Sequence, residues 1–134
     1  MPYRGVIIEE SLADKSLLKD IKIVSTKVEP VTSGDKHATP WIGQWTLHAV
    51  EVPEEKAATL AESIGHALDK DHAHAWYADY KTETDHYIIF SEKVFHVTDR
   101  TSKDQYDEVV RYGVGLGIPP YQVDFSPYVP EWKR

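Results

Sequence analysis

The sequence contains no cysteine among its 134 residues. Disulfide bonds, thiolate metal sites and cysteine nucleophiles are therefore excluded, and the absence fits a reducing compartment such as the cytoplasm. Positive charge is also scarce, because 15 basic residues against 22 acidic residues give a net charge of −7. A surface of this sign repels the phosphate backbone of nucleic acids and anionic membranes, so we expect neither as a partner.

Long apolar runs and familiar catalytic motifs are missing as well. The apolar runs are only a few residues long, far short of the roughly 20 residues that a membrane-spanning helix needs. Glu9 and Glu10 interrupt the only candidate for a signal peptide. The chain has no P-loop, no Gly-x-Ser-x-Gly nucleophile motif and no His-Glu-x-x-His zinc motif. We therefore expect a cytoplasmic protein with no cofactor.

What the sequence does contain is one globular domain over residues 1–134, with 41% apolar and 28% charged residues. Pro53 followed by two glutamates predicts the start of one helix, which ends near Leu68. Ser102 and Gln105 have the spacing of a capping box and predict a second helix, which Gly117 ends. Alternating apolar residues predict strands at 3–10, 21–31, 44–52, 74–80, 86–90, 94–98 and 121–125, with 127–134 as a loosely docked tail.

The order of these elements predicts the fold class. The short polar connections 81–85 and 91–93 have the lengths of hairpin turns, so antiparallel pairing is expected. Strands followed by a helix, more strands, a second helix and a last strand predict an α+β two-layer sandwich, with a mostly antiparallel sheet and both helices on one face. The order is also compatible with a ferredoxin-like arrangement with extra strands.

The predicted hairpins sort the side chains onto two faces of the sheet. If Tyr80 pairs with His86 and Phe90 with Lys93, one face is apolar and suited to lie under the helices. The opposite face is polar and supplies our candidate ligand-binding residues, which are Thr46, His48, Tyr77, Asp79, Tyr87 and His96.

Asp79, Tyr87 and His96 are the candidate catalytic residues of this polar face. A carboxylate beside an imidazole fixes its tautomer and favours its charged form. A tyrosine hydroxyl can donate a hydrogen bond to a developing oxyanion. The same residue types also form the ordinary solvated surface of a sheet or the interface of a homodimer, so both interpretations stand.

His72 and His74 form a His-x-His pair in a polar connection. On an extended chain the two rings point the same way, which suits metal chelation. The third ligand would have to be His66, Asp71 or a remote residue. A pair of this kind is also commonly solvated without any metal.

Five segments of the chain resemble a family of small prokaryotic proteins that has no assigned activity. These segments are 4–12, 45–48, 74–79, 86–90 and 121–125. The resemblance covers nearly the whole chain and implies a stand-alone cytoplasmic domain. It implies no catalytic residues.

Three functions are compatible with these patterns. The first is binding of a small polar molecule or a protein partner without catalysis, with a homodimer formed through the polar sheet face. The second is an acid–base enzyme that acts on a polar metabolite through Asp79, Tyr87 and His96, which requires these residues to share one face. The third is metal binding through His72 and His74.

Overall fold

The computed structural model describes residues 2–30, 43–72 and 76–118. The predicted strand at 121–125 and the tail at 127–134 lie outside these ranges. Within them the strands are β1 (Tyr3–Ile8), β2 (Lys22–Pro30), β3 (Gln44–Val52), β4 (Ala78–Lys81), β5 (His86–Phe90) and β6 (Lys93–Val97), and the α-helices are α1 (Glu54–Ala67) and α2 (Lys103–Gly115). Short 3-10 segments occupy Glu9–Ser11, Lys15–Asp20 and Lys70–His72.

The strands form one sheet in the order β2-β3-β1-β4-β5-β6, and every neighbouring pair is antiparallel. This confirms the predicted α+β sandwich with an antiparallel sheet and two helices. Strands β3 and β4 lie on the two sides of β1 and are joined through α1, which is the split β-α-β connection of ferredoxin-like sheets. Neither helix, nor any other helix in the described ranges, is long and apolar enough to cross a membrane.

Helix α1 covers one face of the sheet. It buries Ala57, Ala61 and Ile64 in one cluster with strand residues such as Tyr80 and Ile89. The hydroxyl of Tyr80 donates to the backbone carbonyl of Ala57, which anchors the first turn of the helix. We call this side of the sheet the α1 face.

Helix α2 covers the other face, so the prediction that both helices share one face is wrong. Tyr106 and Val109 of α2 are buried with Ile88, Phe90 and Val97. Successive strand residues point to opposite faces, and β5 is buried at every position because both helices pack against it. Its side chains are apolar at consecutive positions rather than at every second one, which is the pattern of a strand buried on both faces. We call this side the α2 face.

The first hairpin is shifted by one residue from the predicted pairing, whereas the second is confirmed. His86 pairs with Lys81 rather than Tyr80, and Asp79 pairs with Ile88. The shift arises in the loop, where the amide of Thr82 donates to the carbonyl of Asp85 at 2.8 Å. In the second hairpin Phe90 pairs with Lys93 as predicted.

Candidate functional site

Most of the predicted site residues lie in three separate places, and the first is the exposed β6 edge. The ring of His96 stacks on Tyr87 with 4.2 Å between the ring centroids. Its Nε2 lies 2.8 Å from Oδ2 of Asp85, a residue of the β4–β5 loop. The hydroxyl of Tyr3 approaches the same carboxylate oxygen at 3.4 Å. Asp85 and Tyr3 were missed by the sequence analysis because the predicted register gave the loop no role.

The hydrogen bond with Asp85 fixes the tautomer of the His96 imidazole. A hydrogen bond from the Thr84 hydroxyl, followed by His96, lowers the pKa of Asp85. Burial, together with the negative charge of Asp85, raises the pKa of Tyr3 to about 12. Because an ionised carboxylate can only accept hydrogen bonds, Nε2 of His96 carries the proton, and Nδ1 bonds to no residue of the described ranges.

The second place is buried beneath α2. Nε2 of His86 lies 2.7 Å from Oδ2 of Asp79, and its Nδ1 lies 3.1 Å from the hydroxyl of Tyr106. All three residues are at most 3% exposed. The imidazole therefore donates to the carboxylate and accepts from the phenol, which satisfies both ring nitrogens.

Burial is also what sets the charges of this network. It lowers the pKa of His86 despite the attraction of Asp79, and Arg100 and Lys81 lower it further. Burial likewise raises the pKa of Tyr106. A neutral imidazole between a carboxylate and a phenol, closed off from solvent, is a structural network. A polar group inside a core is tolerated when its hydrogen bonds are satisfied in this way.

The third place joins β2, β3 and the turn after β1. The ring nitrogens of His48 lie 2.9 Å from the Thr26 hydroxyl and 3.0 Å from the Glu9 carboxylate. Thr46 donates to the carboxylate of Glu10 from its amide at 2.6 Å and from its hydroxyl at 2.7 Å. The protein itself therefore bonds both ring nitrogens of His48 and the hydroxyl proton of Thr46.

The predicted polar face is thus divided between the two sides of the sheet. His48, Tyr87 and His96 lie on the α1 face, whereas Asp79 lies on the α2 face. Tyr77 is buried beside Phe90 in the α2 cluster. The acid–base hypothesis required Asp79 and His96 on one face, so it is wrong in that form. The homodimer through this face stays a prediction, although its residues are divided between the two sides of the sheet.

The predicted metal site falls outside what the structure describes, since the placement of His74 and of the His72 side chain is not included. Across residues 2–30, 43–71 and 76–118, no group of three or more His, Asp or Glu side chains is arranged to hold a metal ion.

A groove that the sequence analysis missed runs beside the first half of α1. Its volume is about 630 Å³, and it continues into a smaller cavity of about 310 Å³ at the start of the helix. The apolar part of its lining comes from Ile21, Val52, Pro53 and Leu60, and the polar part from Asp20, Lys22, Glu51, Glu55, Lys56, Thr59 and Ser63. No local motif marks such a groove, because two segments distant in the sequence, 20–22 and 51–63, form it.

Comparison with known proteins gives no guide to which of these places is functional. The chain matches no protein-family model, no curated protein and no solved structure. The resemblance to a family of small prokaryotic proteins therefore stays a prediction.

Proposed function

We propose that the protein binds a small molecule carrying both a cationic and an anionic group in the groove beside α1, without catalysis. The observation that carries this proposal is the groove itself, whose volume of about 630 Å³ lies within the range of small-molecule sites. The absence of cysteine and the net charge of −7 support a cytoplasmic protein that does not bind nucleic acid.

The floor of the groove suits an apolar ligand body. Ile21 and Val52 are buried core residues that line the groove, and Leu60 lies half-buried on the helix beside them. Ligand sites of this kind combine an apolar lining with a few polar groups that fix orientation.

The rim of the groove supplies charges of both signs. Lys22 and Glu51 are already paired with each other at 3.4 Å. Asp20, Glu55 and Lys56, in contrast, form no ion pair with any residue that the structure describes. An ammonium group on the ligand matches the two carboxylates, and a carboxylate matches Lys56. This is the reason for proposing a zwitterion such as an amino acid or a short peptide.

The positions of the histidines support binding without chemistry. Asp79 and His86 are closed off beneath α2, and both nitrogens of His48 bond to protein groups. None of these residues lines the groove. The groove offers charges and hydroxyls, but no imidazole that could act as a base at neutral pH.

The experiment is a two-dimensional NMR titration of the full chain with three probes that share an isobutyl group: leucine, isoamylamine and isovalerate. Leucine should shift the amide signals of α1 and of the β3 end and should bind more tightly than either singly charged probe. Glu55→Gln and Lys56→Gln should each weaken leucine binding, and Glu62→Gln, on an exposed part of the same helix, is the matched control. Equal binding of the three probes would overturn the zwitterion assignment, and no shift around the groove would overturn the site.

A further inference from the structure

Strand β2 is an open edge of unusual length and exposure. It is bonded on one side to β3 and has no strand of the described ranges on its other side. Of its nine residues, all except the half-buried Glu29 are exposed. Ile23, Val24 and Val28 are 38%, 60% and 54% exposed, although large apolar side chains are rarely grouped on a solvated edge. Proteins normally shorten, charge or cover such edges because they pair with other strands.

We propose that β2 pairs with β2 of a second copy of this chain. The pairing is antiparallel around a two-fold axis that is perpendicular to the sheet and passes midway between the two copies of Thr26. It joins two six-stranded sheets into one continuous sheet. This interface shares Lys22 with the lining of the groove beside α1, and the pairing does not depend on ligand binding there.

The pairing with β3 fixes which way each residue of β2 points. Thr26 and Val28 pair with His48 and Thr46 and so lie on the α1 face, as does Ile23, which pairs with Val50. The residues between and beyond them point to the α2 face, and these are Lys22, Ser25, Lys27 and Glu29. Val24 is the extra residue of a bulge between Ile23 and Ser25.

A two-fold axis at Thr26 makes this pattern complementary to itself. Ser25 then faces Lys27 of the second copy, and Val28 faces the bulged Ile23–Val24 pair. One step further, Lys22 faces Glu29. Every exposed apolar side chain of the strand then contacts an apolar side chain of the other copy, and Lys22 faces the carboxylate of Glu29. The two-fold symmetry forms each of these contacts twice.

Neighbouring axes do not give this match. An axis at Lys27 sets two lysines directly against each other and leaves Ile23 and Val24 without apolar partners. An axis at Ser25 leaves Val28 beyond the paired region. Strand β2 is therefore complementary to an antiparallel copy of itself in one register only. For this reason we propose a second copy of the chain, rather than an unrelated peptide, as the partner of β2.

The first test uses the absence of cysteine from the chain. The proposed axis passes midway between the two copies of Thr26, so Thr26→Cys sets two thiols directly opposite each other, at a Cα separation that a disulfide accepts. Mild oxidation should cross-link Thr26→Cys at least about tenfold faster than Ser25→Cys, whose proposed neighbour is Lys27. Mixing Ser25→Cys with Lys27→Cys should give the mixed dimer. Equal cross-linking of Thr26→Cys and Ser25→Cys would overturn the register.

The second test is sedimentation of the unmodified chain over a range of concentrations. Dimers should form by about 100 µM. Lys22→Glu and Glu29→Lys should each weaken dimerisation about tenfold because two symmetric pairs become repulsive, and the double variant should restore it. Lys19→Glu makes the same charge change outside the strand and should leave the dimer intact. A monomer at all concentrations, or a dimer that Lys22→Glu does not affect, would overturn the proposal.

Discussion

Two Asp–His pairs of nearly equal length lie on opposite faces of the same sheet. Asp79 and His86 are 2.7 Å apart beneath α2, and Asp85 and His96 are 2.8 Å apart at the β6 edge. The side chains of the first pair are 3–4% exposed, whereas that of His96 is 37% exposed. The geometry of the two pairs is almost the same, so their difference in energy comes from the solvent around them.

Because the first pair is buried, we expect it to be needed for stability, whereas the exposed second pair should contribute little to the free energy of unfolding. In the core an ion or a polar group has lost its water, so removing one partner costs the desolvation of the other. At the surface water replaces a lost partner, and such pairs contribute about 0–1 kcal/mol. The predictions below test this contrast, in order of decreasing effect.

The largest effect is expected for His86→Leu. This change leaves the buried carboxylate of Asp79 without its imidazole partner and should lower the free energy of unfolding by about 3–5 kcal/mol. Urea denaturation measures the change. His96→Leu is the matched control and should cost about 1 kcal/mol or less. Adding Asp79→Leu to His86→Leu should recover part of the loss, and equal losses for the two histidines would refute the contrast.

Removal of the phenol that completes the buried network should have the next largest effect. Tyr106→Phe leaves Nδ1 of His86 without its donor and should cost about 1–3 kcal/mol. Tyr112→Phe on the same helix is the control, because the Tyr112 ring packs on Phe90 and Phe95 and its hydroxyl bonds to no residue that the structure describes. A cost for Tyr106→Phe no larger than that for Tyr112→Phe would show that the hydroxyl is not needed.

The buried pair should also make stability depend on pH in a defined direction. Burial lowers the pKa of His86 below its ordinary value of 6.5, so below that pH the unfolded chain binds a proton that the folded chain does not. Stability should therefore fall as the pH drops below about 6.5, and this part of the fall should be missing in His86→Gln. Urea midpoints measured between pH 7.5 and about 5 provide the comparison. His96→Gln should keep the dependence, and its loss there instead would contradict the assignment.

The smallest effect is expected at the exposed pair. Asp85→Asn should change the free energy of unfolding by less than about 1 kcal/mol. It should still lower the pKa of Tyr3 from about 12, though not fully to 10, because burial is the larger cause of the raised value. NMR titration of the tyrosine ring carbons detects this change. An unchanged pKa for Tyr3 would mean that the carboxylate does not act on the phenol.

Local patterns predicted the elements well. Ser102 caps α2 through the amide of Gln105 at 3.3 Å, and Gly117 stops the helix at a φ of 99°. The other half of the predicted capping box does not form, because the Gln105 side chain instead accepts from the amide of Thr98. In the folded structure the Gln105 side chain lies near the end of β6, and no pattern within α2 predicts that proximity.

The candidate sites were much less predictable than the elements. Asp79 and His96 were chosen as partners, yet each lies beside a different residue, His86 and Asp85. A one-residue shift in the first hairpin is enough to exchange the partners, since side chains alternate between faces. The shift depends on hydrogen bonds of the Thr82 hydroxyl within the loop, which composition alone does not reveal.

The sequence by itself determined where the helices and strands lie and that the strands pair as antiparallel hairpins. Helix caps, turns and apolar periodicity depend on residues only a few positions apart, so the sequence alone reveals them. Only the tertiary structure decided which histidine is buried, which face each helix covers and which strand remains open at the edge. These outcomes depend on register and on contacts between distant segments. Because side chains alternate along a strand, a shift of one residue moves each side chain to the opposite face of the sheet and so changes its exposure to solvent.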